Sequence, residues 1–326
     1  MLEDITLITG ASGEIGQALL RALQADRVLA LDLNPVNPAL DGYYLEFVQG
    51  DILDRPLLEE IGRKFKIRRI YHLAAILSAT AESDPLLAHR VNVEGTANML
   101  NFARAQIERH NRSVQFLFPS SIAVYGVEAK EAQEPVREQD RLMPTTVYGA
   151  GKLYCERLGR HFVKQGSGLL EFRALRYPGL ISAETLPSGG TTDYGSEMLH
   201  RAAEGRPYRC FVRPDTVIPF LAMPDAVRAL RELAEAPSLP QQVYNVTGFN
   251  PSAEELHQRV LRHFPTAEVS FEPDPERQAI VDSWPAQIDD SAARRDWGWA
   301  PKCDLEQAFA NYLVPAIAGR YSKESN

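Results

Sequence analysis

Cysteine is scarce in this chain of 326 residues: Cys155, Cys210 and Cys303 are far apart, odd in number and form no CxxC pair. Such spacing builds neither a disulfide framework nor a zinc site, so the expectation is three buried structural thiols and a reducing, cytoplasmic setting. Basic charge is short as well. Against 35 Lys and Arg stand 43 Asp and Glu, a formal net charge of −8. That disfavours a general nucleic-acid binder, which needs a basic footprint. A small anionic ligand remains compatible, because a helix N-terminus supplies local positive potential. No apolar run approaches the roughly 18 residues of a membrane span. The opening "MLEDITLITG" has acidic residues where a secretory leader would be basic, so neither leader nor membrane anchor is expected. The seven histidines are scattered and no His/Cys/Asp ligand cluster is visible, so no metal is expected.

What the chain has is an alternation. "ITLITG" (5–10), "RVLALDL" (27–33), "LEFVQGD" (45–51), "RIYHLAA" (69–75), "QFLFPSS" (115–121) and "FRALRYP" (172–178) read as strands buried on both faces. Helix-like segments lie between them near 15–25, 54–65, 85–110 and 147–164. Strand and helix repeated in this way predict an α/β protein with a Rossmann-type, doubly wound parallel sheet. After Pro178 the rhythm breaks into a stretch rich in Gly, Thr, Ser and Pro. "TVIPFLAM" (216–223), a helix from Pro224 and "VYNVTG" (243–248) then look like sheet elements returning. The tail suggests amphipathic helices near 252–263 and 304–318 around a loop holding proline and tryptophan. The expected division is residues 1–178, with 216–248 returning to them, as the Rossmann-type domain that carries the sheet. Residues 179–215 and 249–326 would form a smaller substrate-binding lobe.

"TGASGEIGQAL" sets Gly10, Gly13 and Gly16 directly after the first strand and at the opening of the first helix. Glycine serves where the chain turns tightly and where backbone N–H groups approach a pyrophosphate. The cradle would run over Gly10, Ser12, Gly13, Glu14, Ile15 and Gly16. Asp32 ends the second strand, where a carboxylate accepts from both hydroxyls of an adenosine ribose and repels a 2′-phosphate. Leu33, Asn34 and Pro35 follow it, with no arginine among them, so NAD is expected over NADP. "GDILD" puts Asp51 and Ile52 where an adenine would lie, and "HLAA" puts Leu73, Ala74 and Ala75 at the end of the fourth strand. Ligands gather at these carboxyl ends of open α/β sheets.

"VYGAGK" places Tyr148 and Lys152 four apart, on one face of a helix. A phenol titrates near ~10, too high for a base at neutral pH, and an ammonium nearby and the positive nicotinamide ring are both expected to lower it. Tyr148 would then accept a proton from an alcohol, with Ser121 in "PSSIAVYG" hydrogen-bonding the same oxygen. Ser120 is adjacent, and spacing does not separate the two. His72 reads as a satisfied core or strand-end residue.

Taken together, "TGASGEIG", Asp32, "GDILD", "HLAA", "VNVEGT" (91–96), "PSSIAVYG", "YGAGK" and "LRYPG" resemble the extended, UDP-galactose 4-epimerase-like short-chain dehydrogenases/reductases over essentially the whole chain. Gly151 departs from the serine that many members carry there. The resemblance implies that Asn92 and Lys152 also contact the cofactor and that Tyr177 borders the nicotinamide. It implies a homodimer through the helices near 85–110 and 147–164, although burial against the sheet explains their apolar faces equally well.

Extended members act on nucleotide-linked sugars or on smaller alcohols. A diphosphate calls for arginine, yet "SGGTTDYGSEM" (188–198) holds no basic residue and "VIPFLAMPDAV" (217–227) is apolar. Hydroxyls and glycine N–H groups suit a small zwitterion: a carboxylate accepting from Thr191, Thr192 and the Gly190 N–H. Arg206, Arg209 and Arg213 are not far off in sequence. "HLAAILSATAE" (72–82), "LRYPGLIS" (175–182), "GGTTDYGSEM", "MPDAVRA" and "DSWPAQIDDSAARRDWGW" (282–299) look like the short-chain type of L-threonine 3-dehydrogenase. That resemblance implies Ser78, Gly190, Thr191 and Thr192 as substrate contacts and NAD-dependent oxidation of the L-threonine 3-hydroxyl to L-2-amino-3-oxobutyrate. The loop at 185–197 is expected to close over substrate. Trp284, Trp297 and Trp299 read as structural packing. The alternatives are an NDP-sugar epimerase or dehydratase and a non-enzymatic NAD-sensing regulator.

Overall fold

The structure, a computed structural model, describes residues 4–23, 27–127, 134–165, 168–187 and 190–324. The elements in chain order begin β1 (Asp4–Thr9), α1 (Glu14–Ala22), β2 (Val28–Asp32), β3 (Glu46–Gln49), α2 (Arg55–Lys64), β4 (Lys66–His72), α3 (Ser78–Ser83), α4 (Pro85–Ala88), α5 (Gly95–His110), β5 (Val114–Ser121), α6 (Val147–Gln165) and β6 (Leu170–Tyr177). They continue with β7 (Gly179–Ile181), α7 (Tyr194–Ala203), β8 (Tyr208–Cys210), β9 (Phe220–Ala222), α8 (Met223–Glu235), β10 (Val243–Asn245) and α9 (Ala253–His263). The tail carries β11 (Val269–Phe271), α10 (Pro275–Asp282), α11 (Ser291–Trp297), α12 (Leu305–Ala308) and α13 (Val314–Glu324).

Seven strands form one sheet in the order β10-β6-β5-β4-β1-β2-β3. β1 pairs parallel with β2 on one side and with β4 on the other, so the chain reverses its winding direction at β1. In a doubly wound sheet that switch point opens a crevice at the carboxyl ends of the strands. The strand interiors are apolar because both faces are covered: Leu7, Ile8, Leu29, Leu31, Ile70, Phe116 and Leu117 are buried completely. At about 25 cal/mol per Å² of apolar area removed from water, such positions are where folding free energy accumulates. Asp54 caps α2 by accepting from the Leu57 N–H at 3.0 Å, which fixes where that helix leaves the "GDILD" turn.

Two compact units emerge from the backbone. The first comprises residues 1–124, 147–176 and 227–244; the second comprises 125–146, 177–226 and 245–326. Within the second, β7 pairs parallel with β9 and β8 with β11, and α7 packs against α9 and α13. Tyr194, fully buried, meets Phe211 and Phe220 edge-on.

Several expectations need correction. The segment 85–110 is not one regular helix, because residues His89–Glu94 form a π-helical turn between α4 and α5. A second π turn, Phe309–Leu313, separates α12 from α13 in the expected 304–318 helix. The tail's "loop" also contains α10 and α11. Asp274 followed by Pro275 is a helix start, and α11 ends at Gly298 with φ +76°; these short helices have too few turns to show a clear period. Trp284 and Trp299 are buried, and Trp297 lies 5.7 Å from Trp299 between ring centroids.

Candidate active site

The first turn is tight for a reason visible atom by atom. Gly10 has φ +71°, and a Cβ there would lie 2.6 Å from the Ala74 nitrogen. A Cβ on Gly16 would lie 2.3 Å from the Gly10 carbonyl oxygen. Neither side chain can be added without moving backbone, so the turn, the end of β4 and the start of α1 close to a spacing only glycine permits. Gly13 is the N-cap of α1, and no side chain caps that end; this is the geometry an external phosphate takes up.

Asp32 closes the turn from the other side. Its Oδ2 accepts from the Ser12 N–H and its Oδ1 from the Asn34 N–H, both at 2.9 Å. Each carboxylate oxygen keeps a further lone pair for a hydroxyl. Asp51 accepts from the Leu53 N–H at 2.9 Å. Ile52 is buried, and its carbonyl accepts from Asn98 Nδ2 at 3.2 Å. Leu73, Ala74 and Ala75 are half-buried at the end of β4. The residues present fit a dinucleotide.

Asn92 sits in the π turn, buried, and spends its amide on one neighbour: Oδ1 accepts from the Ile76 N–H at 2.7 Å and Nδ2 donates to the Ile76 carbonyl at 2.9 Å. It thereby fixes the segment that follows Leu73–Ala75. Its carbonyl, in the π turn, accepts from Thr96 Oγ1 at 2.6 Å and from Cys155 Sγ at 3.3 Å. Thr96 in turn meets His72 Nε2 at 3.0 Å, and Thr9 meets His72 Nδ1 at 2.8 Å. His72 is a satisfied core residue, and burial pushes its imidazole down to about 3.

β5 and α6 bring the proposed chemistry together. Lys152 is 6% exposed, and its Nζ donates to the Pro119 carbonyl at 2.7 Å. The ammonium stands 4.7 Å from the centre of the Phe118 ring and 5.6 Å from that of Tyr148. Burial pulls it down to about 8, against the opposing pull of Cys155 and Glu156. Burial pushes the Tyr148 phenol up to about 12. The lysine, bound to Pro119, does not by itself offset desolvation of the phenol, so among the protein's own groups Tyr148 is a neutral acid; the lowering expected from a nicotinamide ring belongs to the loaded site. Its N–H donates to Glu82 Oε1 at 3.1 Å, which anchors the start of α6.

The two serines separate cleanly. Ser120 is buried and donates to Glu156 Oε1 at 2.6 Å. Glu156 also receives Arg176 Nε at 2.9 Å and Nη2 at 2.7 Å, both side chains of that ion pair being 1% exposed. Ser121 is half-buried and accepts from the Ala123 N–H at 3.1 Å, which leaves its proton for another oxygen. Sequence reasoning missed the Ser120–Glu156–Arg176 triad, although Glu156 lies one helical turn after Lys152.

The second unit holds the loop. Ser188 and Gly189 lie outside the described residues, so the expected closure of 185–197 concerns a segment described only in part. Ser78 is buried in the first turn of α3, and Thr191 is buried in the loop. Gly190 does not offer its N–H to a ligand, because that group donates to Asp193 Oδ2 at 2.7 Å. The Tyr177 hydroxyl is likewise engaged, with the Ala226 carbonyl at 2.6 Å. Missed altogether was Arg277, from α10, whose Nη2 donates to the Gly190 carbonyl at 2.9 Å.

The model of the NAD dependent epimerase/dehydratase family matches residues 6–247. The mitochondrial L-threonine 3-dehydrogenase of Bos taurus is 37% identical over 315 residues, 94% of this chain and 81% of that protein. Among solved structures, a monomeric L-threonine 3-dehydrogenase from a metagenome, in its apo form, superposes with a TM-score of 0.86 at 38% identity, covering 98% of this chain and 100% of that one. The GalE-like L-threonine dehydrogenase of Cupriavidus necator, in its holo form, gives 0.83 at 34% identity, covering 97% and 99%.

Proposed function

This chain belongs to the NAD-dependent epimerase/dehydratase family, and on that premise we propose that it oxidises the 3-hydroxyl of L-threonine to give L-2-amino-3-oxobutyrate. One observation carries the chemistry. β5 and α6 set a half-buried phenol, an ammonium and a serine with an uncommitted proton at the same carboxyl end of the sheet as the dinucleotide turn. The choice of L-threonine among alcohols is supported by the full-length likeness to L-threonine 3-dehydrogenases.

Tyr148 takes the proton of the substrate hydroxyl, and Ser121 donates a hydrogen bond to the same oxygen. NAD, when bound, supplies the hydride acceptor and a positive ring that favours the phenolate. Lys152 holds the nicotinamide ribose and, at about 8, still carries its charge at neutral pH. Gly10, Ser12, Gly13, Glu14, Ile15 and Gly16 receive the pyrophosphate, and Asp32 the adenosine ribose. Asp51, Ile52 and Leu73–Ala75 border the dinucleotide, with Asn92 and Tyr177 assigned beside it. Ser78, Thr191 and Thr192 hold the amino acid. Gly190 contributes the shape of the loop instead of its N–H. The first unit is the cofactor-binding body and the second carries the substrate loop.

We place a second copy of the chain on the face of α5 and α6. A groove of about 540 Å³ there is lined by Ala88, Val93, Ala97, Val147, Ala150 and Tyr154, and Leu86 nearby is 80% exposed. Sedimentation equilibrium reads the mass directly; a single-chain mass at micromolar concentration removes this assignment. Among the described residues no helix is long and apolar enough to cross a membrane. No disulfide joins Cys155, Cys210 or Cys303, which supports the reducing, cytoplasmic location.

The test is NADH formation from NAD⁺ and L-threonine at mildly alkaline pH, beside L-allo-threonine, L-serine, NADP⁺ and a UDP-sugar. The expected outcome is turnover with L-threonine and NAD⁺, reduced about 100- to 10,000-fold in Tyr148→Phe with unchanged NAD binding. Turnover of the UDP-sugar with none of the amino acids would move the protein to the sugar-nucleotide branch.

A further inference from the structure

The 188–198 stretch contains no basic residue of its own, yet the fold supplies one. Arg277 Nη2 donates to the Gly190 carbonyl at 2.9 Å, across 87 positions of sequence. The same guanidinium lies on the Phe211 ring, 3.1 Å from its centre. The Gly190 carbonyl also accepts from the Asp193 N–H at 3.1 Å, while the Gly190 N–H donates back to Asp193 Oδ2 at 2.7 Å. Residues 190–193 are therefore a closed turn, and Arg277 ties its first carbonyl to α10.

The arginine stands on a fixed base. Asp274 Oδ1 accepts from the N–H groups of Glu276 at 3.0 Å and Arg277 at 2.9 Å, and the Asp274 N–H donates to the Phe211 carbonyl at 2.9 Å. The next residue, Gln278, is buried; it accepts from the Arg213 N–H at 2.7 Å and donates to Thr216 Oγ1 at 3.1 Å. α10 is thus tied to the 211–216 segment on both sides of Arg277. A planar, always-charged group on a rigid support can stack on a ring and hold a carbonyl at once. A lysine ammonium can hold a carbonyl near a ring but has no flat face to stack, so it would replace the tie only in part.

We infer that Arg277 is a positioning residue: stacked on Phe211 and bonded to Gly190, it fixes the 190–193 turn and so sets the affinity for the amino-acid substrate. This rests on the functional reading above, because it takes Thr191 and Thr192 as the substrate's contacts. Remote groups that hold a binding loop in place contribute by preorganisation, so their loss weakens binding without touching the reacting atoms.

The experiment compares wild type with Arg277→Gln, Arg277→Lys and Phe211→Leu. In Arg277→Gln, KM for L-threonine rises about 10- to 100-fold, as expected for loss of a charge-assisted hydrogen bond. KM for NAD⁺ and kcat stay within about threefold. Arg277→Lys and Phe211→Leu give smaller rises in the same constant. A purely structural role would lower the active fraction, and hence the apparent kcat, while leaving KM alone; that pattern overturns the inference, as does an unchanged KM in the folded variants. Hydrogen exchange at the amides of 190–193 is read in parallel. It quickens in Arg277→Gln if the tie is real and is unaltered if it is not. Should wild type oxidise no amino acid, the functional reading fails by itself, and exchange alone decides whether Arg277 fixes the turn. If Arg277→Gln does not fold, the other two variants carry both readouts.

Discussion

The glycine turn after β1 and the turn at 190–193, the segments proposed for the dinucleotide and the substrate, each hold backbone in one shape with different raw material. The turn takes its parts from Gly10 to Asp32: two glycines that admit no Cβ and a carboxylate that ties Ser12 to Asn34. The loop takes its tie from Arg277, 87 positions away, on a helix that is itself pinned to residues near Phe211. A site built from neighbours in sequence can be read as a motif. A site tied from afar cannot, because nothing near the loop announces its partner.

That contrast can be broken most severely between the two, at the Ser120–Glu156–Arg176 triad. Removing one member of a buried, hydrogen-bonded ion pair leaves the other charged and uncompensated. Glu156→Ala is expected to destabilise the protein by about 3–5 kcal/mol, read by urea denaturation. A small effect would show that this long-range cluster does not hold β5, β6 and α6 in place.

Next in size is a pH effect at Lys152. Below pH 8 the ammonium is charged in the folded and in the unfolded chain, and burial weighs against folding. Between about 8 and 10.5 the folded chain has released the proton while the unfolded chain still holds it, so this group makes stability rise with pH. Its share is on the order of 3 kcal/mol. Tyr148 works the other way only above its ordinary value of 10. Unfolding measured at pH 8 and pH 10 should therefore show a gain in wild type that is absent in Lys152→Met. Equal pH dependence in both would mean that the ammonium is better solvated than its 6% exposure indicates.

The smallest effect sharpens the comparison itself. Asp32→Ser removes the charge that repels a 2′-phosphate and keeps an acceptor for Ser12. The ratio of kcat/KM with NADP⁺ to that with NAD⁺ should rise about two- to fivefold, the scale of one surface electrostatic contact, with KM for L-threonine unchanged. A change in the amino-acid constant would show that the cofactor turn is not the local device described above.

Much of the site was legible in the residues because strand–turn–helix junctions are local. "TGASGEIG" and "YGAGK" are each a short stretch of chain, and the structure puts the first between β1 and α1 and the second at the start of α6, as read. Ser121 could not be chosen over Ser120 by spacing. The choice needed Glu156 and Arg176 arriving from α6 and β6 to occupy Ser120. The phenol of Tyr148 was expected to be lowered by Lys152 together with the nicotinamide ring, and the lysine alone does not do it. The sign depends on burial and on the Pro119 carbonyl that claims the ammonium, neither of which the i,i+4 spacing contains. The π turn at His89–Glu94 was also invisible, since one extra residue in a helical turn leaves composition and periodicity nearly unchanged; yet it houses Asn92, which holds Ile76.

The sequence by itself determined the alternation of strand and helix, the glycine turn, the acidic end of β2 and the Tyr–Lys pair. Each of these depends on steric limits and periodicities acting within a few residues. Tertiary structure alone decided which serine is free, where the phenol titrates, that the Gly190 N–H is spent on Asp193 and that an arginine reaches a loop without one. Those outcomes depend on desolvation and on hydrogen-bond partners brought together through space, and neither quantity is a property of a short stretch of chain.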